Sequence, residues 1–331
     1  MIPVSLKQVA GALGVGERPE YADIVVRRVA TDSRAVEPGD LFWAVRGARF
    51  DGNEFVDQAA AKGAAACVCS SAVDLRSSAL DRRACLRVDD SVAALGRFAA
   101  YYRQEIMPRS TAVVAITGSN GKTTTKSMID CVLAPSYPGR SAPKSFNNSI
   151  GVPLTLLSGE ADDRYLIMEI GTNSRGEVAA LAAIGSPDVA VITSIGEAHL
   201  EGLGDVRAVA AEKTSLLDYL RPQALAVVNT DRPEVRPLLR RGVSMRLLTF
   251  GCHPRAELRI SEVDATIRGT RFLLGGKYRV ELTMPGAHHT ANAAAAFAVG
   301  RWFGLDPAEI VDRLRAFRPA EGRTQLAEVD G

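Results

Sequence analysis

Apolar positions along the chain change period several times, and each change marks an element. In the first hundred residues Leu6–Leu13 has helical spacing, with Ser5 placed to cap it and Gly14 to end it. Val25–Ala30 and Leu41–Val45 read as strands on either side of the polar turn Thr31-Asp32-Ser33-Arg34. Asn53–Lys62 has helical spacing, Ala64–Cys69 is a short buried strand, and a helix spans Ser91–Ile106. The link Met107-Pro108-Arg109-Ser110 then interrupts the pattern and is the best boundary.

Beyond it, strand and helix alternate. Strands are expected at Ala112–Thr117, Tyr165–Ile170, Val189–Thr193 and Ala224–Val228. Helices are expected at Lys122–Leu133, Glu177–Ile184 and Arg207–Leu220. Such alternation implies a mainly parallel sheet covered on both faces. Glu257–Met284 changes character, with Gly269, Gly275 and Gly276 punctuating an antiparallel meander, and helices follow over Thr290–Phe303 and Pro307–Phe317. The fold class is therefore α/β: a small N-terminal α/β domain (1–108), then a central domain (109–323) with a mainly parallel sheet and a small antiparallel meander. Residues 324–331 lie past it, and Arg323-Thr324-Gln325-Leu326-Ala327 reads as the opening of a further strand.

Composition narrows the function classes. At 331 residues the chain can bury a large core, and its 47% hydrophobic and 24% charged residues are those of an ordinary globular protein. A formal net charge of +2 gives no general electrostatic case for nucleic acid or a membrane surface. No apolar stretch approaches a membrane span and the N-terminus has no secretory pattern, so a cytoplasmic location is expected. The odd count of five cysteines, Cys67, Cys69, Cys85, Cys131 and Cys252, reads as buried reduced thiols.

The strongest chemical signal follows the strand Ala112–Thr117. In Thr117-Gly118-Ser119-Asn120-Gly121-Lys122-Thr123-Thr124 the glycines let backbone N–H groups turn inward around phosphate oxygens, and the next helix aims its positive end at the same anion. Lys122 can reach the terminal phosphates and the Thr123 hydroxyl can hold Mg²⁺. Ile116 stands where the common form of this loop has glycine, so the loop is a short variant. Glu169 lies at the end of the strand Tyr165–Ile170 and His199 in the loop after Val189–Thr193, both on the carboxyl edge where open α/β sheets bind ligands. Alone, Glu169 reads as a helix cap or solvated carboxylate, and His199 as a hydrogen-bonding loop residue; together on one edge they could hold a metal. Composition alone makes Lys213 a surface lysine.

These residues resemble the Mur ligases, the ATP-dependent amide ligases of peptidoglycan synthesis. The resemblance rests on the short loop Thr117–Thr124, on Thr31-Asp32-Ser33-Arg34 with Pro38-Gly39-Asp40-Leu41-Phe42 and Asp51-Gly52-Asn53, and on Pro285-Gly286-Ala287-His288-His289-Thr290-Ala291-Asn292-Ala293. Asn147–Leu156, Met168–Asn173 with Gly176-Glu177, and Ile195–Gly202 are similar to the branch that adds D-alanyl-D-alanine to UDP-N-acetylmuramoyl-tripeptide.

The resemblance implies ATP and Mg²⁺ as cofactors and an acyl phosphate intermediate. It implies that Gly118, Ser119, Asn120, Gly121, Lys122, Thr123, Thr124, Asn148, Asn292 and Arg323 bind the nucleotide, and that Thr123, Glu169, His199 and Lys213 bind metal. It further implies that Lys213 is carbamylated, that Lys122, Lys213 and His199 serve catalysis, and that Ser33 and Arg34 lie near the UDP moiety. A monomer is expected.

Three departures stand out. His289 replaces a usual Asn, Thr214-Ser215 replace a common Gly-Glu, and the family's third, dinucleotide-fold domain lies beyond this sequence. The last leads us to expect nucleotide binding with poor turnover by the 331 residues alone. Two other readings stay open: a non-catalytic nucleotide- and UDP-sugar-binding homologue, and a Mur-type ligase with a different amino substrate.

Overall fold

The computed structural model describes residues 1–319 apart from 17, 48–50, 71–83, 144, 199 and 241–244. His199, Arg323 and the strand expected at 323–327 therefore lie outside the described residues. Contacts divide the chain into Met1–Arg109 with Ser149–Asp162, and Ser110–Asn148 with the rest from Asp163. The first division falls in the Pro108 link. The return of Ser149–Asp162 to the first unit has no counterpart in a linear reading.

The first unit opens with β1 (Val4–Ser5) and α1 (Leu6–Leu13). Ser5 and Gln8 form a capping box, and Gly14 ends the helix at φ +68°. The expected strand Val25–Ala30 is split. β2 (Val25–Val26) pairs antiparallel with β1, whereas β3 (Val29–Ala30) pairs parallel with β4 (Leu41–Trp43). The break falls at Arg28, whose guanidinium turns to Asp40 (Nε–Oδ1 3.0 Å). After α2 (Val56–Ala61), β5 (Ala66–Ser70) and β6 (Cys85–Val88) complete a four-stranded parallel sheet in the order β3-β4-β5-β6. α3 covers Ser91–Tyr101, capped by Asp90 and packed by Phe98 on Trp43. The expected helix to Ile106 widens to a π-turn over Tyr102–Ile106, which buries Arg103.

The second unit carries β7 (Ala112–Thr117), α4 (Lys122–Leu133) and β8 (Gly139–Ser141). The chain makes α5 (Gly151–Leu157) within the first unit, then returns as β9 (Tyr165–Glu169) and α6 (Glu177–Gly185). Next come β10 (Val189–Ile192), α7 (Leu200–Leu203), α8 (Val206–Thr214), β11 (Leu225–Asn229) and β12 (Arg246–Gly251). The helix expected over Arg207–Leu220 leaves α geometry at Thr214, where its Oγ1 bonds back to Ala210 O (2.8 Å). The meander is β13 (Leu258–Thr266), β14 (Gly269–Leu274) and β15 (Tyr278–Leu282), with Gly275 and Gly276 both left-handed in the last turn. α9 (His289–Trp302) and α10 (Pro307–Ala316) follow.

These strands form one sheet in the order β15-β14-β13-β12-β11-β10-β7-β9-β8. It is parallel from β8 to β12 and antiparallel through the meander, which extends the sheet rather than standing apart. β6, β8 and β12 were not read from sequence. β8 is a polar Gly-Arg-Ser edge, and a Cβ at Gly139 would stand 2.4 Å from the Tyr165 ring.

The core of this unit joins Val114, Ile116 and Val191 of the sheet to Ile129 of α4, Phe297 of α9 and Leu314 of α10. β7 lies at the crossing point: the chain runs outward to β9 on one side and to β10 and β11 on the other. Such a reversal opens a crevice at the carboxyl ends of the strands.

Candidate functional site

The loop 117–121 fills that crevice, and two glycines make its path possible. Gly118 has φ +152° and a Cβ there would fall 2.0 Å from Thr193 Oγ1; Gly121 has φ +84° and its Cβ would fall 2.4 Å from Asn292 Oδ1. The segment after β10 grips the loop from the side. Thr193 Oγ1 donates to Asn120 O (2.6 Å), Asn120 N to Ser194 Oγ (2.9 Å), Ser119 N to Ser194 O (2.9 Å) and Gly196 N to Ser119 Oγ (2.9 Å). Sequence reasoning missed Thr193 and Ser194; hydroxyls at the end of the next strand were the available signal. Lys122 donates to Gly118 O (2.8 Å), and burial lowers its pKa against the pull of Glu169.

Glu169, at the end of β9, is 2% exposed, which overturns its reading as a solvated carboxylate. Its Oε2 accepts from Thr123 Oγ1 (3.0 Å), and its Oε1 from Asn147 Nδ2 (3.1 Å). Lys126 Nζ stands 4.0 Å from Oε2 and donates to Ala142 O (2.6 Å). A hydroxyl and a carboxylate oxygen side by side against a phosphate loop are hard donors of the kind Mg²⁺ takes, so the residues fit that ion. Asn147, not singled out individually from sequence, is thus part of the centre, while its neighbour Asn148 is exposed.

Lys213 is 1% exposed, contrary to the surface placement that composition suggests. The cause is its neighbour. The buried Glu212 carboxylate accepts from Gly176 N (2.8 Å) and Val178 N (2.9 Å), capping α6 and clamping α8 to it. Among the described residues the Lys213 ammonium has no hydrogen bond or ion pair. Burial, then repulsion from Lys122, set against the attraction of Glu212, lowers its pKa to about 8.

Asn292 is 4% exposed and turned into the loop. Its Oδ1 accepts from Thr125 Oγ1 (3.1 Å), and its Nδ2 donates to His289 Nδ1 (3.3 Å). That bond leaves the hydrogen of neutral His289 on Nε2, which is buried and, among the described residues, without a partner. Burial, with the neighbouring His288, pushes the His289 pKa down from 6.5 to about 4. The unfolded imidazole therefore binds a proton that the folded one refuses between those values, so stability rises with pH across the window. Lowering the pH from 7.5 to 4.5 is expected to cost on the order of 2 kcal/mol through this residue. Urea unfolding of wild type and His289→Asn at both pH values checks this; an equal loss in both proteins would refute it.

In the first unit, Ser33, Arg34, Phe42, Phe55 and Gln58 help line a cavity of about 490 Å³. Ser33 Oγ donates to Gln58 Oε1 (2.6 Å). Arg34 forks onto Asp32 (Nε–Oδ1 3.0 Å, NH2–Oδ2 2.8 Å), whose carboxyl pKa falls to about 2 through those bonds. Another cavity, about 550 Å³, lies at the carboxyl ends of β11 and β12 beside Arg236, His253 and Arg255. It is larger than the first, but among the described residues no carboxylate and no residue of the phosphate loop lines it. Among the described residues no helix is long and apolar enough to cross a membrane.

Comparison with known proteins places this geometry. Residues 116–300 match the Mur ligase middle domain, and residues 25–103 match the Mur ligase family, catalytic domain. The UDP-N-acetylmuramoyl-tripeptide–D-alanyl-D-alanine ligase of Bacillus subtilis is 34% identical, over 100% of this chain and 70% of that protein. The crystal structure of MurF from Acinetobacter baumannii superposes with a TM-score of 0.86 at 30% identity, over 99% of this chain and 71% of that one. MurF ligase from Thermotoga maritima in complex with ADP does so at 0.78 and 28% identity, over 92% and 69%. With matches running from the N-terminal sheet through the phosphate loop to α9, the chain belongs to the Mur ligase family.

Proposed function

We propose that this chain joins D-alanyl-D-alanine to UDP-N-acetylmuramoyl-tripeptide at the expense of ATP, in the synthesis of peptidoglycan precursors. The supporting observation is the Thr123–Glu169 contact of 3.0 Å at the mouth of the phosphate loop, inside a chain 34% identical to a ligase of that name. The cavity at Ser33 and Arg34 would take the UDP moiety, and the unit made of Ser110–Asn148 and the chain from Asp163 would take ATP.

Thr123 and Glu169, with His199 from outside the described residues, would hold Mg²⁺, which supplies charge neutralisation at the transferring phosphoryl group. The loop amides and Lys122, released from Gly118 O, would orient the triphosphate. The tripeptide carboxylate then takes the γ-phosphoryl group from ATP, whose β–γ P–O bond breaks to release ADP, and becomes an acyl phosphate. The dipeptide amine attacks the acyl carbon, phosphate leaves, and an amide bond forms. No side chain acts as a covalent nucleophile in this scheme; the protein supplies position and charge. Lys213, held largely desolvated with a pKa near 8, keeps enough neutral amine near neutral pH to add carbon dioxide, and the resulting carbamate would be a further metal ligand.

The test is product formation. ADP release should require both the UDP-linked tripeptide and the D-alanyl dipeptide. ADP release indifferent to both would overturn the assignment. Release with another amino component in place of the dipeptide would mark a sister ligase instead. Binding of both nucleotides without turnover is the outcome expected of a non-catalytic homologue.

A further inference from the structure

The sheet of the first unit sets three thiols together where the proposed ligation has no use for them. Ala30, Phe42, Cys67 and Cys85 are paired in one row across the four strands β3 to β6. Cys67 Sγ donates to Cys85 Sγ at 2.9 Å. Cys69 lies two residues along β5, opposite Arg87, on the same face as Cys67. All three are buried, and Cys85, at 8%, is the most exposed of them.

We propose that Cys67 and Cys85 are an oxidative modification site, closing reversibly into a cross-strand disulfide in the folded protein. The register selects this pair. Directly opposed residues on neighbouring strands are about 5 Å apart at Cα, inside the range a disulfide spans. Cys67 and Cys69 are about 6.6 Å apart along one strand, near the upper limit that a disulfide spans, and interact through a thiol hydrogen bond. Cys69 and Cys85 are diagonal, because Cys69 pairs with Arg87. Cys131 and Cys252 belong to the second unit.

The oxidant is a peroxide. Cys85, the more exposed of the two, meets it first. Its sulfur attacks the O–O bond, giving a sulfenic acid and one water. The Cys67 sulfur then attacks the sulfenic sulfur, forms the S–S bond and expels a second water. Two thiols thus lose two hydrogens and two electrons, and the peroxide takes up both. The bond would be made one strand from Phe42, which lines the 490 Å³ cavity.

Hydrogen peroxide is added to the folded, fully reduced protein; thiols are then alkylated in denaturant and mapped by mass spectrometry. The expected result is a peptide pair joined through Cys67 and Cys85, about 2 Da lighter than the two free peptides, and reopened by dithiothreitol. Cys85→Ser should abolish the link. The exposed Cys252, read in the same digest, reports that the oxidant acted. Oxidised Cys252 beside unlinked Cys67 and Cys85 would overturn the proposal. So would a link that joins any other pair, or one that forms only after unfolding. Because wild type carries the main readout, poor folding of the variant leaves the test intact, and no outcome depends on the ligase assignment.

Discussion

Lys213→Ala is expected to lower the rate of amide formation about a thousandfold, with cooperative unfolding retained. The side chain is buried beside the phosphate loop, and no hydrogen bond or ion pair among the described residues accounts for its charge. A buried cation repelled by Lys122 is a net liability to stability, so a structural role predicts that alanine is tolerated. A carbamate role predicts loss of turnover, because the carbamate would supply the negative charge at that position. Lys213→Glu separates the two: a carboxylate there should recover part of the rate lost in the alanine variant. Removing carbon dioxide from the buffer should slow the wild type and leave Lys213→Glu unchanged. Full activity in Lys213→Ala, or insensitivity of the wild type to carbon dioxide, would refute the assignment.

Lys122→Ala should weaken binding of Mg²⁺-ATP about a hundredfold by calorimetry. The ammonium donates to Gly118 O at 2.8 Å, a bond it can exchange for a phosphate oxygen at little cost. Its lowered pKa comes from burial, a penalty that an adjacent polyanion removes. Lys122→Arg should not restore affinity, since a planar fork cannot follow the same path between Gly118 and Glu169. Unchanged affinity in Lys122→Ala would remove the phosphate loop from the mechanism.

Some of this was legible in the chain alone. Ala112–Thr117 and Lys122–Leu133 match the predicted bounds residue for residue, because each is a local pattern with a glycine-bearing break between them. The capping box at Ser5 and Gln8 needs only four consecutive residues. Elements whose ends depend on distant partners were misjudged. Val25–Ala30 divides because its halves pair with different strands, and Ser91–Ile106 widens where Arg103 is buried. Glu169, Thr123 and Asn147 stand 46 and 22 positions apart along the chain, and periodicity does not report such a meeting.

Sequence by itself determined the α/β class, the loop with its two indispensable glycines, and the membership that its motifs resemble. These are properties of neighbours in the chain, set by backbone sterics and the spacing of apolar side chains. Tertiary structure alone decided that β10 lies beside β7, so that Thr193 and Ser194 brace the loop, and that Glu212 draws Lys213 out of water. It also decided that Cys67 faces Cys85. In each case the deciding quantity is which strand or helix packs next to which. Crossover connections and burial settle that, and nothing within one segment encodes it.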